Sequence, residues 1–297
     1  MYISKDCHVF CFSADNQPAL TVNPGDTVTL ETMDCFADQI LSPEDKLDAV
    51  DWNRINPATG PIFVRGAQKG DALKVTIEKI DIRPQAVMLT GKELGELGHK
   101  LEGMHVKILP VENEKVVFNQ EIRLPVDPMI GVIGTAPEHE SINCGTPGYH
   151  GGNMDTKIIR EGAAVCLPVL VEGGLLALGD LHAVMADGKV CVTGAEVAGK
   201  VRIKVELLKD FNLTTPLVEN DNVLAVIYSH ISLDGAVSGA VEYLTRLIHE
   251  KTGKPEEEVI MLLSLVGEVK VSQVVDPLKT ARLEVSKEVL DRYGFVL

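Results

Sequence analysis

Ala163-Ala164-Val165-Cys166-Leu167-Pro168-Val169-Leu170-Val171-Glu172-Gly173-Gly174-Leu175-Leu176-Ala177-Leu178-Gly179-Asp180-Leu181-His182-Ala183 is the stretch on which the fold turns. Two almost wholly apolar runs, 163–170 and 175–178, flank Glu172-Gly173-Gly174. They read as a hairpin of strands buried on both faces, at the centre of a β core. The exit of the second run is polar. Along a continuing strand Asp180 and His182, two residues apart, point to the same face. A carboxylate beside an imidazole is a workable half of a divalent-metal site, and a polar pair at the end of so apolar a strand is costly unless it is used. Pairing across the turn would set residue 180 near 165 and bring the strand end back toward the loop before residue 160.

Moving outward, the chain up to about residue 210 is built of short strands punctuated by Gly, Pro, Asn and Asp, as in an all-β sandwich or barrel. In Thr27–Glu31, Val28 and Leu30 face one way, which leaves Glu31 on the polar side. Apolar residues at 73, 75 and 77 and then at 80 and 82 slip phase by one, so a β-bulge is expected near Glu78–Lys79. Val201 to Leu207 alternates cleanly and predicts a strand with one face in water. Residues 86–128 are glycine-spaced and polar, with a hairpin around Glu112–Lys115, and are read as a small inserted β subdomain. Beyond 213 the texture becomes α+β. Ala236, Ala240, Val241, Leu244, Leu247 and Ile248 form one helical stripe that stops at Gly253, and a second helix runs from Glu256 to Leu265 after Pro255. Strands at 269–271 and 282–285 follow, with Ser286 placed to cap a last helix. The fold class is therefore mainly β with a C-terminal α+β part, divided as 1–212 and 213–297.

The chain has 297 residues, 45% of them hydrophobic, enough for a sizeable core. Acidic residues outnumber basic ones 43 to 28, and a formal charge of −15 repels phosphate backbones and anionic membrane surfaces. No nucleic acid and no membrane partner is expected. Six cysteines without a CxxC pair, and no apolar run near the roughly 18 residues of a membrane span, point to a reduced, cytoplasmic setting.

A second stretch, Pro147-Gly148-Tyr149-His150-Gly151-Gly152-Asn153-Met154-Asp155, places two glycines between potential ligands, so that His150 and Asp155 can converge. Glu31 and Glu196 are further carboxylates in apolar or small-residue neighbourhoods, each able to hold a metal or act as general base. Cys144 is the cysteine nearest the glycine-rich loop, without a base tied to it by spacing. The chain carries no nucleotide-binding glycine motif, no HExxH zinc pattern and no GxSxG elbow.

Asn56-Pro57-Ala58-Thr59-Gly60-Pro61, Val64-Arg65-Gly66-Ala67-Gln68-Lys69-Gly70-Asp71, His150-Gly151-Gly152-Asn153-Met154-Asp155, and Gly179-Asp180-Leu181-His182-Ala183 with Asp187-Gly188 occur in this order. Together they resemble the acetamidase/formamidase family. The resemblance implies a β-sandwich-like core with a smaller β-barrel subdomain, a C-terminal α+β domain, and homodimers or higher homo-oligomers. It also implies hydrolysis of formamide- or acetamide-like amides to acid and ammonia. One departure is visible: Lys189 stands after Asp187-Gly188, where the family often has Glu. On this reading a divalent ion, zinc by preference, is held by Asp180 and His182 with one or more of His150, Asp155 and Glu31. Glu196 is the first candidate to move the proton, with Asp155 and His150 as further catalytic candidates. A non-catalytic metal- or ligand-binding β protein and an amidase using Cys144 as nucleophile are the alternatives.

Overall fold

The computed structural model describes residues 1–42, 44–45 and 50–297. Among these, nine strands form one sheet and eleven another. The first sheet runs from Tyr2–Ile3 through Thr27–Thr32, Gly199–Leu208, Ala72–Ile82, Ala164–Pro168, Leu217–Glu219, Val223–His230 and Lys279–Ser286 to Glu268–Gln273. The second runs from Arg123–Pro125 through Lys115–Val117, Met104–Glu112, Gln85–Gly91, Glu196–Val197, Leu176–His182 and Met129–Gly134 to Gly151–Asn153. Ala58–Val64 branches from Leu176–His182 and carries two further short strands.

The inner faces of the two sheets meet in one core. Val28, Leu30, Val75, Ile77, Val201 and Ile203 come from the first sheet, and Ile62, Val64, Ile130, Ile133, Leu178 and Leu181 from the second. This is the β-sandwich expected from period-2 alternation. Thr27–Thr32 buries every second residue, and Gly199–Leu208 follows the same rule through Val205. The bulge also falls where the phase slips: Arg202 faces Lys79 and Ile203 faces Ile77, leaving Glu78 as the extra residue.

The two apolar runs that opened the sequence reading are both buried strands, but they are not a hairpin. Ala164–Pro168 pairs with Ala72–Ile82 and Leu217–Glu219 in the first sheet, whereas Leu176–His182 pairs with Met129–Gly134 and Ala58–Val64 in the second. A strand that is apolar on both faces needs a pairing partner on each edge as well as cover above and below. Each run finds these in a different sheet. Gly173, Gly174 and Leu175, at φ of 77°, 68° and 51°, turn the chain across the sandwich instead of back along it. Gly173 is required there, since a Cβ would lie 2.1 Å from the Phe63 ring.

The inserted segment does not close into a barrel of its own. Its strands form the open end of the second sheet, joined to it where Val87 faces Glu196, and the tight turn between Glu112 and Lys115 has Asn113 and Glu114 at φ of 50° and 59°. Sheet pairing likewise runs across residue 212, since Cys166 faces Leu217.

Among the described residues the α-helices lie after residue 232, with α1 at Leu233–Thr252, α2 at Glu256–Val266 and α3 at Lys287–Tyr293; a single 3-10 turn at Gly98–Lys100 precedes them. Ala240, Leu244, Ile248, Val259 and Leu263 pack on Leu224, Val226, Leu283 and Val285 of the first sheet's outer face. The Ser232 hydroxyl accepts from the Gly235 amide and Gly253 ends α1 at φ 68°. Ser286 stands at the start of α3, but its side chain makes no capping bond. Among the described residues no helix is long and apolar enough to cross a membrane.

Candidate functional site

Met129–Gly134 is the strand that assembles the site. Val132 faces Asn153 on one side and Gly179 on the other, and Met129 faces His182. Its two neighbours therefore deliver Asp155, just past Asn153, and Asp180 to the same place. Between them sits Gly131, where a Cβ would lie 2.4 Å from Asp180 Oδ2 and 2.8 Å from Asp155 Oδ1. Only glycine leaves room for both carboxylates. On the far side of Leu176–His182, Glu196 faces His182, so four adjacent strands bring His182, Asp155, Asp180 and Glu196 together.

His182 Nε2 lies 3.1 Å from Glu196 Oε2 and 3.6 Å from both Asp155 Oδ1 and Asp180 Oδ2. All four residues are at least 98% buried. Asp155 and Asp180 have φ of 47° and 53°, a left-handed conformation that Asp tolerates better than most residues and that clusters at functional sites. Convergence thus follows from a shared neighbouring strand and not from the hairpin expected from the sequence, for residue 165 lies in the other sheet.

Burial disfavours an imidazolium at 182, but Glu196, Asp180 and Asp155 overturn this and raise the His182 pKa well above its usual value. Burial pushes Glu196 up to about 7, with His182 acting against it and Asp180 with it. Gly194 N donates to Glu196 Oε1 at 2.6 Å, which leaves Oε2 free. Asp155 Oδ1, Asp180 Oδ1, Glu196 Oε2 and both His182 nitrogens have no hydrogen-bond partner. The carboxylates that favour positive charge on His182 would equally favour a metal cation, to which their unpartnered oxygens and a neutral His182 nitrogen could all turn. Asp155, Asp180 and His182 each offer a ligand atom within 4.8 Å of the others, and Cys35, Asp180 and Glu196 form a second such set.

Two residues expected at the site belong to neither of these ligand sets. Glu31 is in the first sheet, where Tyr2 Oη donates to it at 2.5 Å and Arg83 lies at 3.4 Å. The Tyr2 bond lowers its pKa. His150 is fully buried, edge-on to Phe12 and Tyr149 at 5.2 and 5.8 Å, and burial alone pushes it down to about 4. It belongs to neither donor set. Cys144 is also fully buried, packed with Phe12, Ala58, Val132 and Ala177, and burial pushes its thiol up.

Three residues that sequence reasoning gave no site role are present. Lys189 Nζ donates to Asp155 Oδ2 at 2.7 Å, both side chains being out of solvent. Asp276 comes from beyond the end of Glu268–Gln273, where burial and Asp155 raise its pKa well above the usual carboxylate range. Cys35 is buried beside Asp180 and Glu196, and burial raises its thiol too. The Lys189 loop is fixed from the C-terminal strands. Lys189 N donates to Ser272 O at 3.2 Å, and Arg282 grips both oxygens of Asp187 at 2.7 and 2.8 Å.

Asp180, Glu196 and Lys189 line a cavity of about 280 Å³ whose wall includes Asn153, with its Oδ1 unpartnered.

The model of the Acetamidase/Formamidase family matches residues 8–146 and 141–291. The solved structure of a predicted acetamidase/formamidase from the thermophile Thermoanaerobacter tengcongensis is 54% identical and superposes with a TM-score of 0.98 over 100% of this chain and 98% of that one. A formamidase of Methylophilus methylotrophus is 25% identical over 91% of this chain and 86% of its own length. A putative formamidase of Schizosaccharomyces pombe is 28% identical over 65% of this chain, and the match spans only 62% of that relative's length. Taken with the fold, these matches show that the chain belongs to the acetamidase/formamidase family.

Proposed function

We propose that this protein hydrolyses short neutral primary amides to carboxylic acid and ammonia, assisted by a divalent cation held by Asp155, Asp180 and His182. The observation that carries the reading is the set of buried, unpartnered ligating atoms of Asp155, Asp180, His182 and Glu196, two of which, Asp180 and Glu196, line a cavity. Amide hydrolysis requires activation of a water, stabilisation of the tetrahedral oxyanion and protonation of the leaving nitrogen. Bound at the site, a divalent ion supplies Lewis acidity toward carbonyl and water oxygens. Glu196 Oε2 takes the water's proton and returns it to the departing ammonia. Lys189 neutralises the outer oxygen of Asp155 and keeps Oδ1 directed inward. Asn153 Oδ1 accepts from the substrate's amide N–H. Both thiols near the chain's glycine loop and pocket, Cys144 and Cys35, are held as thiols by burial, which disfavours a covalent thioester route.

Mixed carboxylate and imidazole donors favour zinc among the divalent ions, and the same reading takes the protein as cytoplasmic and homodimeric or larger. Ammonia release from formamide, acetamide and propionamide should be lost on chelation and restored by zinc. Full turnover by protein shown by elemental analysis to be metal-free would overturn the role of the cation, and no turnover on any amide would overturn the activity.

The base must be unprotonated to act. Burial pushes Glu196 up to about 7 in the chain without a cation, and a bound divalent ion lowers it, so kcat/KM should rise with pH along a limb that ends at or below about 7. A kcat/KM that still climbs steeply above pH ~8 would take the proton-accepting role away from Glu196.

A further inference from the structure

The cavity is larger, and more apolar at one side, than formamide or acetamide requires. At about 280 Å³ it has the volume of roughly nine waters at ~30 Å³ each, whereas a primary amide group has three heavy atoms. One side presents Phe36, Trp52, Ile55, Leu89, Leu94 and Val192. These are not isolated contacts. Apart from Trp52 they are the inward edge of a hydrophobic cluster that also holds Ile40, Val50 and Val87, and Trp52 stands edge-on to Phe36 with ring centroids 6.5 Å apart. The lining also carries a separate polar group, with Asn153 98% buried and its Oδ1 unpartnered, together with Asp180 and Glu196. A ligand with a polar amide at one end and a hydrocarbon group at the other matches both at once.

We propose that the apolar wall is an acyl-group subsite and that the preferred substrates are neutral primary amides with an apolar acyl chain of about four to six carbons. The inference rests on the amidohydrolase reading of the same site. Neutrality follows from the wall: a charged acyl terminus would lie among Phe36, Ile55, Leu89, Leu94 and Val192, and the one ammonium among the described lining residues, on Lys189, is committed to Asp155. An acyl chain ending in a carboxylate would lose its hydration against apolar side chains without gaining a counter-charge. The reaction consumes one water: the carbonyl C–N bond breaks, a C–O bond forms, and the nitrogen leaves as ammonia with the proton taken from that water.

The test is kcat/KM for acetamide, butyramide and hexanamide, with succinamate as the anionic control, measured by ammonia release on the metal-supplied full chain. A fitted hydrocarbon pocket gains roughly tenfold per methylene until it is full, so hexanamide should exceed acetamide by at least about 100-fold, with succinamate below butyramide. Leu94→Trp, which fills the pocket from a half-buried position, should cut the hexanamide-to-acetamide ratio at least tenfold. Val192→Phe does the same from the other side should the first variant fold poorly. Acetamide turned over best, or a ratio unmoved by both variants, would overturn the acyl subsite and leave the amidohydrolase reading standing. Absence of ammonia from every amide would instead remove the reading beneath it.

Discussion

His182→Ala should lose the bound cation and lower kcat/KM by about 10³-fold or more, with circular dichroism still reporting the β fold. Removing a single positioned group that stabilises transition-state charge costs about 10²–10³ by itself, and this substitution removes a ligand of the cation as well. The geometry explains why no neighbour replaces it. His182 Nε2 is the nitrogen donor around which Glu196, Asp155 and Asp180 stand at 3.1, 3.6 and 3.6 Å, so its loss leaves only like-charged oxygens facing one another. The fold survives because His182 ends its strand, and the upstream residues Leu176 to Leu181 keep their pairing on both sides. Elemental analysis and ammonia release are to be read together. A variant that keeps one equivalent of metal and near-normal turnover would remove His182 from the site.

Lys189→Met is expected to give the largest loss of stability. Breaking a buried ion pair by removing one partner costs about 3–5 kcal/mol, since the remaining charge stays out of water, and for chains of this size that is roughly 10 °C in Tm. Lys189 and Asp155 meet at 2.7 Å with side chains 4% and 0% exposed, so solvent cannot compensate. Two accompanying results separate this from mere loss of packing. Added zinc should recover part of the deficit, because the site is more negative without the ammonium and binding to the native state adds to its stability. Lys189→Met with Asp155→Asn should be more stable in chelator than Lys189→Met alone, as the stranded carboxylate is gone. Equal Tm for parent and single variant in chelator would refute the argument.

The parts of this site that the sequence discloses are those with a local signature. Asp180 and His182 stand out because strand alternation puts them on one face at the end of an apolar run, Asp155 because glycines precede it, and Glu196 because its neighbours are small and apolar. Glu31 has the same local look, yet its strand's polar face lies on the outside of the other sheet. His150 is flanked by glycines that fit its ring into an aromatic pocket. Cys35 and Asp276 carry no signature, since their role exists only after distant strands have met, and Lys189 shows only as a departure from the family pattern, not as the partner of Asp155. The error over the hairpin has the same origin. An apolar run shows that a strand is buried on both faces, but not which sheet buries it, and sequence adjacency across Gly173-Gly174 pointed to the wrong partner.

The Arg282 clasp on Asp187 and the seating of Lys189 on Ser272 have a consequence for biogenesis. Every strand of the first sheet from Leu217 onward emerges from the ribosome after the strands bearing His182 and Glu196, and at about 5–20 residues per second the interval between residues 189 and 282 lasts several seconds. During that time the nascent chain carries three carboxylates and a histidine with the Lys189 loop still undocked. Metal capture is therefore expected to be a late event in synthesis, following the closing strand and not guiding it. A fold dominated by such long-range pairing is also slow to form, which leaves Leu176–His182 exposed to wrong partners until its neighbours arrive.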